Sequence, residues 1–255
     1  MMLREERYHK ILKEIELNRI VRVSDLAKKL NVTEMTIRRD LSDLEEREML
    51  TRIHGGARKK QVNDYKELSH LQKQTINVEK KRSIAKHCAG LIENNDVVFI
   101  GPGTTAGFIY EFLDKERYDH VDIVTNSVTV FEQFKNDFPR FEIILVGGRY
   151  RSRTETFVGY FTNKMLHDFN VNKAFIGTNG IIKMSVTTAN EEEGTAQKII
   201  LDNASETYIL ADSTKFGVEA FHNLYDVRNI SAIITDSSID PELVSYYEKF
   251  VKIIK

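Results

Sequence analysis

Between Val23 and Ala57 the chain reads VSDLAKKLNVTEMTIRRDLSDLEEREMLTRIHGGA, and few folds accommodate that pattern. Leu26, Ala27 and Leu30 recur at helical spacing, and so do Val32, Ile37, Leu41 and Leu44. Ser24 and Thr33 stand just ahead of the two apolar runs, where N-caps belong. Only an Asn31-Val32 corner separates the two predicted helices. Short helices joined so tightly form a helix-turn-helix.

In that motif the N-terminal half of the second helix enters a DNA major groove. Here it carries Thr33, Glu34, Thr36, Arg38 and Arg39. Thr36 and Arg38 are the candidates for base edges. Thr33 suits both a cap and a phosphate contact, since a hydroxyl at a helix start serves either role. Arg38 and Arg39, taken alone, also fit a solvated helix face. Residues 2–18 predict a third, amphipathic helix with Leu3, Tyr8, Ile11, Leu12 and Ile15 on one side. Residues 19–23 predict a brief strand. Thr51 to His54 alternate in character, and Gly55-Gly56 then allow a reversal at positive φ. This is the pattern of a winged helix, with Arg52 and His54 placed to reach the DNA backbone or minor groove. The expected DNA-binding set is therefore Ser24, Thr33, Thr36, Arg38, Arg39, Arg52, His54 and Gly55.

Charge follows the same division. Residues 1–60 hold 15 Lys and Arg against 11 Asp and Glu, whereas residues 61–255 hold 22 against 27. The net charge of −1 argues against a protein that coats nucleic acid, but phosphate neutralisation needs only local positive charge. The single Cys88 excludes an internal disulfide, and no Cys/His cluster suggests zinc, so neither metal nor cofactor is expected. Cys88 lies in an apolar helical run and reads as a small buried thiol. No signal peptide and no membrane-length apolar run is evident, so a soluble cytoplasmic protein is expected.

Residues 59–78 are polar and weakly periodic, a linker turning helical towards its end. This sets expected domains at 1–58 and 79–255. The second begins with an amphipathic helix and then alternates helices with short apolar strands: VVFI, VDIVTN, FEIILVGG, KAFIGTNG, ETYILAD, SAIITD and a last FVKIIK. The alternation predicts an α/β domain with a parallel sheet covered on both faces.

Ligands of open α/β sheets sit beyond the carboxyl ends of the strands. Gly101-Pro102-Gly103-Thr104-Thr105 follows the first strand. Its glycines, hydroxyls and following helix suit an anion, though it is neither a Walker A loop nor G-x-G-x-x-G, and a plain tight turn is the alternative. Asn126-Ser127, Gly147-Gly148, Thr178-Asn179-Gly180 and Asp212-Ser213-Thr214-Lys215 follow later strands. Together these describe a crevice for a small, hydroxyl-rich anion. Lys215 would neutralise a phosphate or anchor a sugar oxygen, and Asp212 would orient it. Alternatively, the two form a salt bridge that closes their own loop.

The run TEMTIRRDLSDLEEREMLTRIHGGA resembles the N-terminal signature of the DeoR family of bacterial sugar-metabolism regulators. The strand-end series TNS, GG, FVG and DSTKFG resembles the sensor domain of the same family. The resemblance covers nearly the whole chain. It implies a winged helix-turn-helix joined to a phosphosugar-isomerase-like sensor domain. It further implies a homo-oligomer, dimer or tetramer, that binds double-stranded operator DNA under control of a phosphorylated sugar. By the same resemblance Lys81 matches a recurrent lysine, and Lys73 stands where members often carry a basic residue; ligand contact and surface solvation both remain open for them. The implied effector set is Lys73, Lys81, Gly101, Gly103, Thr104, Thr105, Asn126, Ser127, Gly148, Asn179, Asp212 and Lys215. Gly101 departs from the usual acid of that loop. Residues 191–198 match only loosely, which leaves Glu192, Glu193 and Lys198 open. GPGTT, with DYKELSH before it, most resembles the branch serving phosphotransferase-system lactose uptake in Gram-positive bacteria, which implies tagatose 6-phosphate, with fructose 1-phosphate and other phosphosugars open.

An isomerase carrying a DNA-binding head is the alternative. Aldose–ketose isomerisation needs a carboxylate base. The related isomerases place an acid where this chain has Asn179, and an amide cannot take the proton. A purely oligomerising second domain would not need five polar strand ends. Asp212 and Asp236 stay open as bases, but the chain reads as a regulator, and no catalytic residue is expected.

Overall fold

The computed structural model describes residues 3–18, 20–47, 49–58, 67–137 and 139–255. The chain divides into two compact units, residues 1–66 and 67–255.

The first unit runs α1 (Arg4–Asn18), β1 (Ile20–Arg22), α2 (Val23–Leu30), α3 (Glu34–Glu46), β2 (Thr51–Ile53) and β3 (Gly56–Arg58). Tyr8, Ile11 and Ile15 of α1 close over Leu26, Leu30, Ile37, Leu41 and Leu44. Leu3 precedes the helix and is exposed, so it leaves the apolar face assigned to it. The expected first residue of that helix, Met2, and the expected first strand residue, Arg19, lie outside the described residues. Asn31 makes the corner in the left-handed region, φ 52° and ψ 50°, which its short polar side chain tolerates. Beyond it Thr33 caps α3, accepting from the Thr36 N–H at 3.2 Å.

Ser24 is not the N-cap of α2. The helix starts at Val23, and the Ser24 hydroxyl instead donates to Asp25 Oδ1 at 3.3 Å. The reason is tertiary: the Val23 N–H donates to the Gly55 carbonyl at 2.9 Å, so the wing satisfies a donor that a cap would otherwise serve. Asp40 of the RRD triplet is also structural. It is buried and accepts the Arg7 guanidinium through two bonds of 2.6 and 2.8 Å, fixing α1 across α3.

The wing is a three-stranded antiparallel sheet in the order β1-β3-β2. Its two glycines serve different needs. Gly55 takes positive φ, 75°, in the turn. Gly56 lies in β3, and a Cβ there would sit 2.1 Å from the Val21 carbonyl oxygen. The expectation of a paired positive-φ reversal is thereby corrected. Gly56→Ala should force β1 and β3 apart and cost about 1–3 kcal/mol, read as a lower thermal midpoint; an unchanged midpoint would refute the close-approach account.

The second unit opens with α4 (His70–Gln74) and α5 (Val78–Leu91), then β4 (Val97–Ile100), α6 (Thr104–Gly107) and β5 (Val121–Thr125). It continues through α7 (Val128–Phe134), β6 (Phe141–Leu145), β7 (Arg149–Arg151), β8 (Thr156–Val158), α8 (Tyr160–His167) and β9 (Val171–Gly177). Next come β10 (Gly180–Ile182), β11 (Ser185–Thr188), α9 (Glu191–Asp202) and β12 (Ala204–Leu210). Last are β13 (His222–Asp226), β14 (Ala232–Ile234), α10 (Pro241–Tyr247) and β15 (Lys252–Ile254). Seven strands form one sheet in the order β15-β14-β12-β9-β4-β5-β6, and every neighbouring pair is parallel. Two apolar layers enclose it. One is centred on Phe99, Ile176, Ile200 and Ile209, and the other on Ile84, Cys88, Ile123, Phe134 and Phe141. Cys88 is fully buried there, and burial pushes its thiol well above the ordinary range, as a packing role requires.

Three features depart from expectation. The compact unit begins at Glu67, so the described part of the expected linker belongs to it, with His70 buried; residues 59–66 lie outside the described residues. The helix expected through AGFIYEFL is the single turn α6 followed by a 3-10 turn, Ile109–Phe112. A hairpin, β7-β8, and a small sheet, β10-β11-β13, lie between the main strands.

Candidate DNA-binding face and effector crevice

On α3 the side chains of Arg38 and Arg39 are exposed and Thr36 is half-buried. Arg38 reaches Glu34 one turn back at 3.3 Å, an exposed pair that competes little with a new partner. Thr36 and Arg39 line a cleft of about 530 Å³ with Arg4, Arg7, Met35, Asp40 and Asp43, between α1 and α3. Met35 is 76 % exposed beside them. At the wing, the Arg52 N–H donates to the Glu45 carboxylate at 2.8 Å, which holds β2 to α3 and leaves the Arg52 side chain exposed. His54 and Gly55 are exposed at the tip. Ser24 is half-buried at the start of α2.

In the second unit β12, β9, β4, β5 and β6 are successive neighbours and parallel, so their carboxyl ends lie side by side. Along that edge the chain presents Asp212, then Asn179, the loop Gly101–Thr105, Asn126-Ser127 and Gly148. The residues at these positions do different work.

Gly101 is buried, its N–H donating to the Phe175 carbonyl at 2.9 Å, and a Cβ there would press on β9 at 3.0–3.1 Å. Gly103 takes φ 133° with open space around its Cβ position; Thr104 is buried and Thr105 half-buried. The Asn126 amide donates to the Phe157 carbonyl at 2.8 Å, while its Oδ1 is buried with no hydrogen-bond partner. Ser127 is buried and caps α7, accepting from the Val130 N–H at 3.3 Å. Gly148 is explained by packing: a side chain would meet the Thr162 hydroxyl of α8. Asn179 accepts from the Ala189 N–H at 3.1 Å and steadies the turn ahead of α9. Asn126, Ser127, Gly148 and Asn179 thus do structural work along this edge.

The charged end of the edge is more distinctive. Asp212 is 2 % exposed and accepts from the Thr214 N–H at 3.0 Å and from the Asn77 amide at 3.4 Å. Lys215 makes no ion pair with Asp212, so the loop-closing salt bridge is not formed. Lys81 is 5 % exposed, and its ammonium donates to the Lys73 carbonyl. Burial lowers the Lys81 pKa to about 8; Asp212 opposes the shift, and the charges of Lys215 and Lys73 add to it. Burial likewise lowers Lys73, opposed by Glu193 and Glu67 and reinforced by Lys215 and Arg151. Lys81 thus lies in the fields of Asp212 and of two further lysines, and Lys73 in those of Glu193 and Glu67, so the three lysines share one electrostatic neighbourhood with these carboxylates.

Sequence reading missed a second cluster. Arg151 of β7 joins Glu67 through bonds of 2.8 and 2.5 Å and Glu193 of α9 at 2.9 Å. Thr154 also donates to Glu193, whose carboxyl burial pushes upward. Of the residues left open earlier, only Glu193 is buried here; Glu192 pairs with Arg149, and Lys198 with Asp202, at the surface. Asn77 and Lys80 were also missed; Lys80 donates to Ser213 at 2.6 Å and lies 3.8 Å from Asp236. Nothing in RYRSRTETF distinguishes Arg151 from its arginine neighbours, because its partners are 84 and 42 residues away. No helix among the described residues is long and apolar enough to cross a membrane.

Residues 7–61 match the DeoR-like helix-turn-helix domain, and residues 76–237 match the DeoR C-terminal sensor domain. The lactose phosphotransferase system repressor of Streptococcus mutans is 38 % identical over 254 residues, covering 99 % of this chain and 100 % of the relative. Its namesake in Staphylococcus epidermidis is 37 % identical over the same shares. Among solved structures, ribose 5-phosphate isomerase A of Methanocaldococcus jannaschii overlays 55 % of each chain with 20 % identity and a TM-score of 0.39. The relatives that span the full chain are named repressors, and both matched domains are those of regulators rather than enzymes. By its helix-turn-helix, its sensor domain and these full-length relatives, the chain belongs to the DeoR family of DNA-binding regulators.

Proposed function

We propose that this protein represses a lactose phosphotransferase-system operon and that a phosphorylated sugar, bound at the strand ends of the sensor domain, relieves repression. The carrying observation is buried Lys81, which donates to the Lys73 carbonyl and lies in the fields of buried Asp212, of Lys215 and of Lys73. Two or three ammonium groups suit a phosphate, and Asp212, Asn77 and Thr214 offer donors and acceptors for sugar hydroxyls. The names of the relatives support the operon class, and tagatose 6-phosphate is the first effector to test. Paired winged helices of a homo-oligomer would meet two half-sites, with Thr36, Arg38 and Arg39 in the groove and Arg52 and His54 at the backbone. A ligand shifts operator affinity only through its different affinity for two states of the protein.

The test is a panel of sugar phosphates against the purified protein, read by thermal midpoint and by operator affinity. A shift with one sugar phosphate and none with its free sugar supports the reading, since a ligand bound only to the folded state stabilises it. Operator affinity unchanged at saturating phosphosugar refutes it.

The reading also fixes a pH dependence. Lys81 binds phosphate in its charged form, and its pKa is about 8. Effector affinity should hold below that pH and fall by up to about tenfold per unit above it. It should also weaken below about pH 6, where a phosphate monoester takes up its second proton. Lys81→Arg should extend the alkaline limit, and calorimetric titration at pH 7 and 9 measures both. An identical affinity at the two pH values would remove Lys81 from the site.

A further inference from the structure

We infer that Arg151 is the positioning residue that carries effector binding to the start of the sensor unit, through its bond to Glu67. This rests on the proposed effector reading.

Glu67 opens the second unit, where the chain arrives from the DNA-binding unit. It is tied down four times over within a few residues. Arg151 grips its carboxylate with both guanidinium nitrogens. Arg153 donates to its carbonyl at 2.9 Å and lies 3.9 Å from its carboxylate. Three residues on, the His70 N–H donates to the Arg153 carbonyl at 2.7 Å. The β7-β8 hairpin thus holds the front of α4. At the other end of the same helix, Lys81 holds the Lys73 carbonyl. A nine-residue strap, 67–75, is therefore pinned at one end by the hairpin and at the other by an effector-site lysine.

The charges link the two ends. Lys73, on the strap, lies in the fields of both Glu193 and Glu67 and is repelled by Arg151 and Lys215. Arg151 divides its bonds between those same two carboxylates. A dianion placed beside Lys73, Lys81 and Lys215 takes over part of the positive charge that now stabilises Glu67 and Glu193. Glu193 is buried and held by Thr154 and by its helix. Glu67 is held by arginines alone, so its hold depends wholly on the positive charge that the dianion draws away, and it is the partner whose grip loosens. The pair then reports an event at the strand ends to the residue that follows the linker.

Glu67→Gln keeps size but removes the charge and one of the two acceptor oxygens that Arg151 grips, and it leaves the groups of the Arg151–Glu193 pair unaltered. Arg151→Lys keeps the charge but cannot make the two-pronged bond. For each protein, calorimetry gives the affinity for the sugar phosphate found active in the panel, and fluorescence anisotropy gives operator affinity with and without it. The expected result is effector affinity within about threefold of the unaltered protein, with the ratio of the two operator affinities collapsing towards one. That split between binding and response is not produced by a role in stability alone. A ratio unchanged in both variants overturns the inference. Loss of effector binding by more than tenfold also overturns it, by placing these residues in the binding site. Failure of the unaltered protein to bind or respond to any sugar phosphate shows itself before a variant is made and overturns the effector reading, and this inference with it.

Discussion

Lys215→Ala is expected to leave operator binding unchanged and to weaken effector binding roughly 10- to 100-fold. The estimate is about 1.5–3 kcal/mol for one hydrogen bond to a charged group. Little stability should be lost, because Lys215 is half-buried and makes no ion pair with Asp212. The substitution has a second signature. Lys215 is one of the charges that lower Lys81, so its removal should raise the Lys81 pKa and move the alkaline limit of effector binding upward. Operator affinity, effector affinity and its pH profile are the three measurements. An effector affinity equal to that of the unaltered protein would place the phosphate elsewhere on the strand-end edge.

Arg38→Ala is expected to weaken operator binding about 10- to 100-fold, or about 1–3 kcal/mol, and to relax sequence preference at one base pair. Arg39→Ala should act differently. Arg39 lines the cleft between α1 and α3, where Asp43 and Asp40 pair with Arg4 and Arg7, and its own exposed guanidinium suits a phosphate. Its loss should weaken all sequences alike and reduce the salt dependence of binding by about one counterion. Effector binding should be unaffected in both. Competition assays on operator and scrambled DNA at several salt concentrations separate the two roles; equal losses on both DNAs for Arg38→Ala would demote Arg38 to a backbone contact.

Local pattern carried much of the architecture. The helix pair was legible because Leu26, Leu30, Ile37, Leu41 and Leu44 repeat at the period of a helix. The sheet was legible because its strands are buried on both faces and so read as short continuous apolar runs. Thr33 was legible as a cap because capping is a contact three residues long. Asp212 and Lys215 were legible as charged residues at a strand end, and Lys73 and Lys81 only by resemblance.

What the sequence determined by itself, then, was whatever depends on near neighbours: the periods of helices and strands, the corner at Asn31, and the polar residues that end each strand. Tertiary structure alone decided the rest. Ser24 is no cap because the wing, 32 residues from Val23, supplies the carbonyl that the Val23 N–H needs. Gly56 is glycine because Val21 passes close by. Asp40 is buried against Arg7, 33 residues away. The Lys81 pKa falls to about 8 because folding buries the ammonium, and the charges of two other lysines add to the shift. Arg151 became a hub only when β7, α9 and residue 67 met. Burial, close approach and charge balance are properties of groups brought together from distant positions, and no local pattern records them.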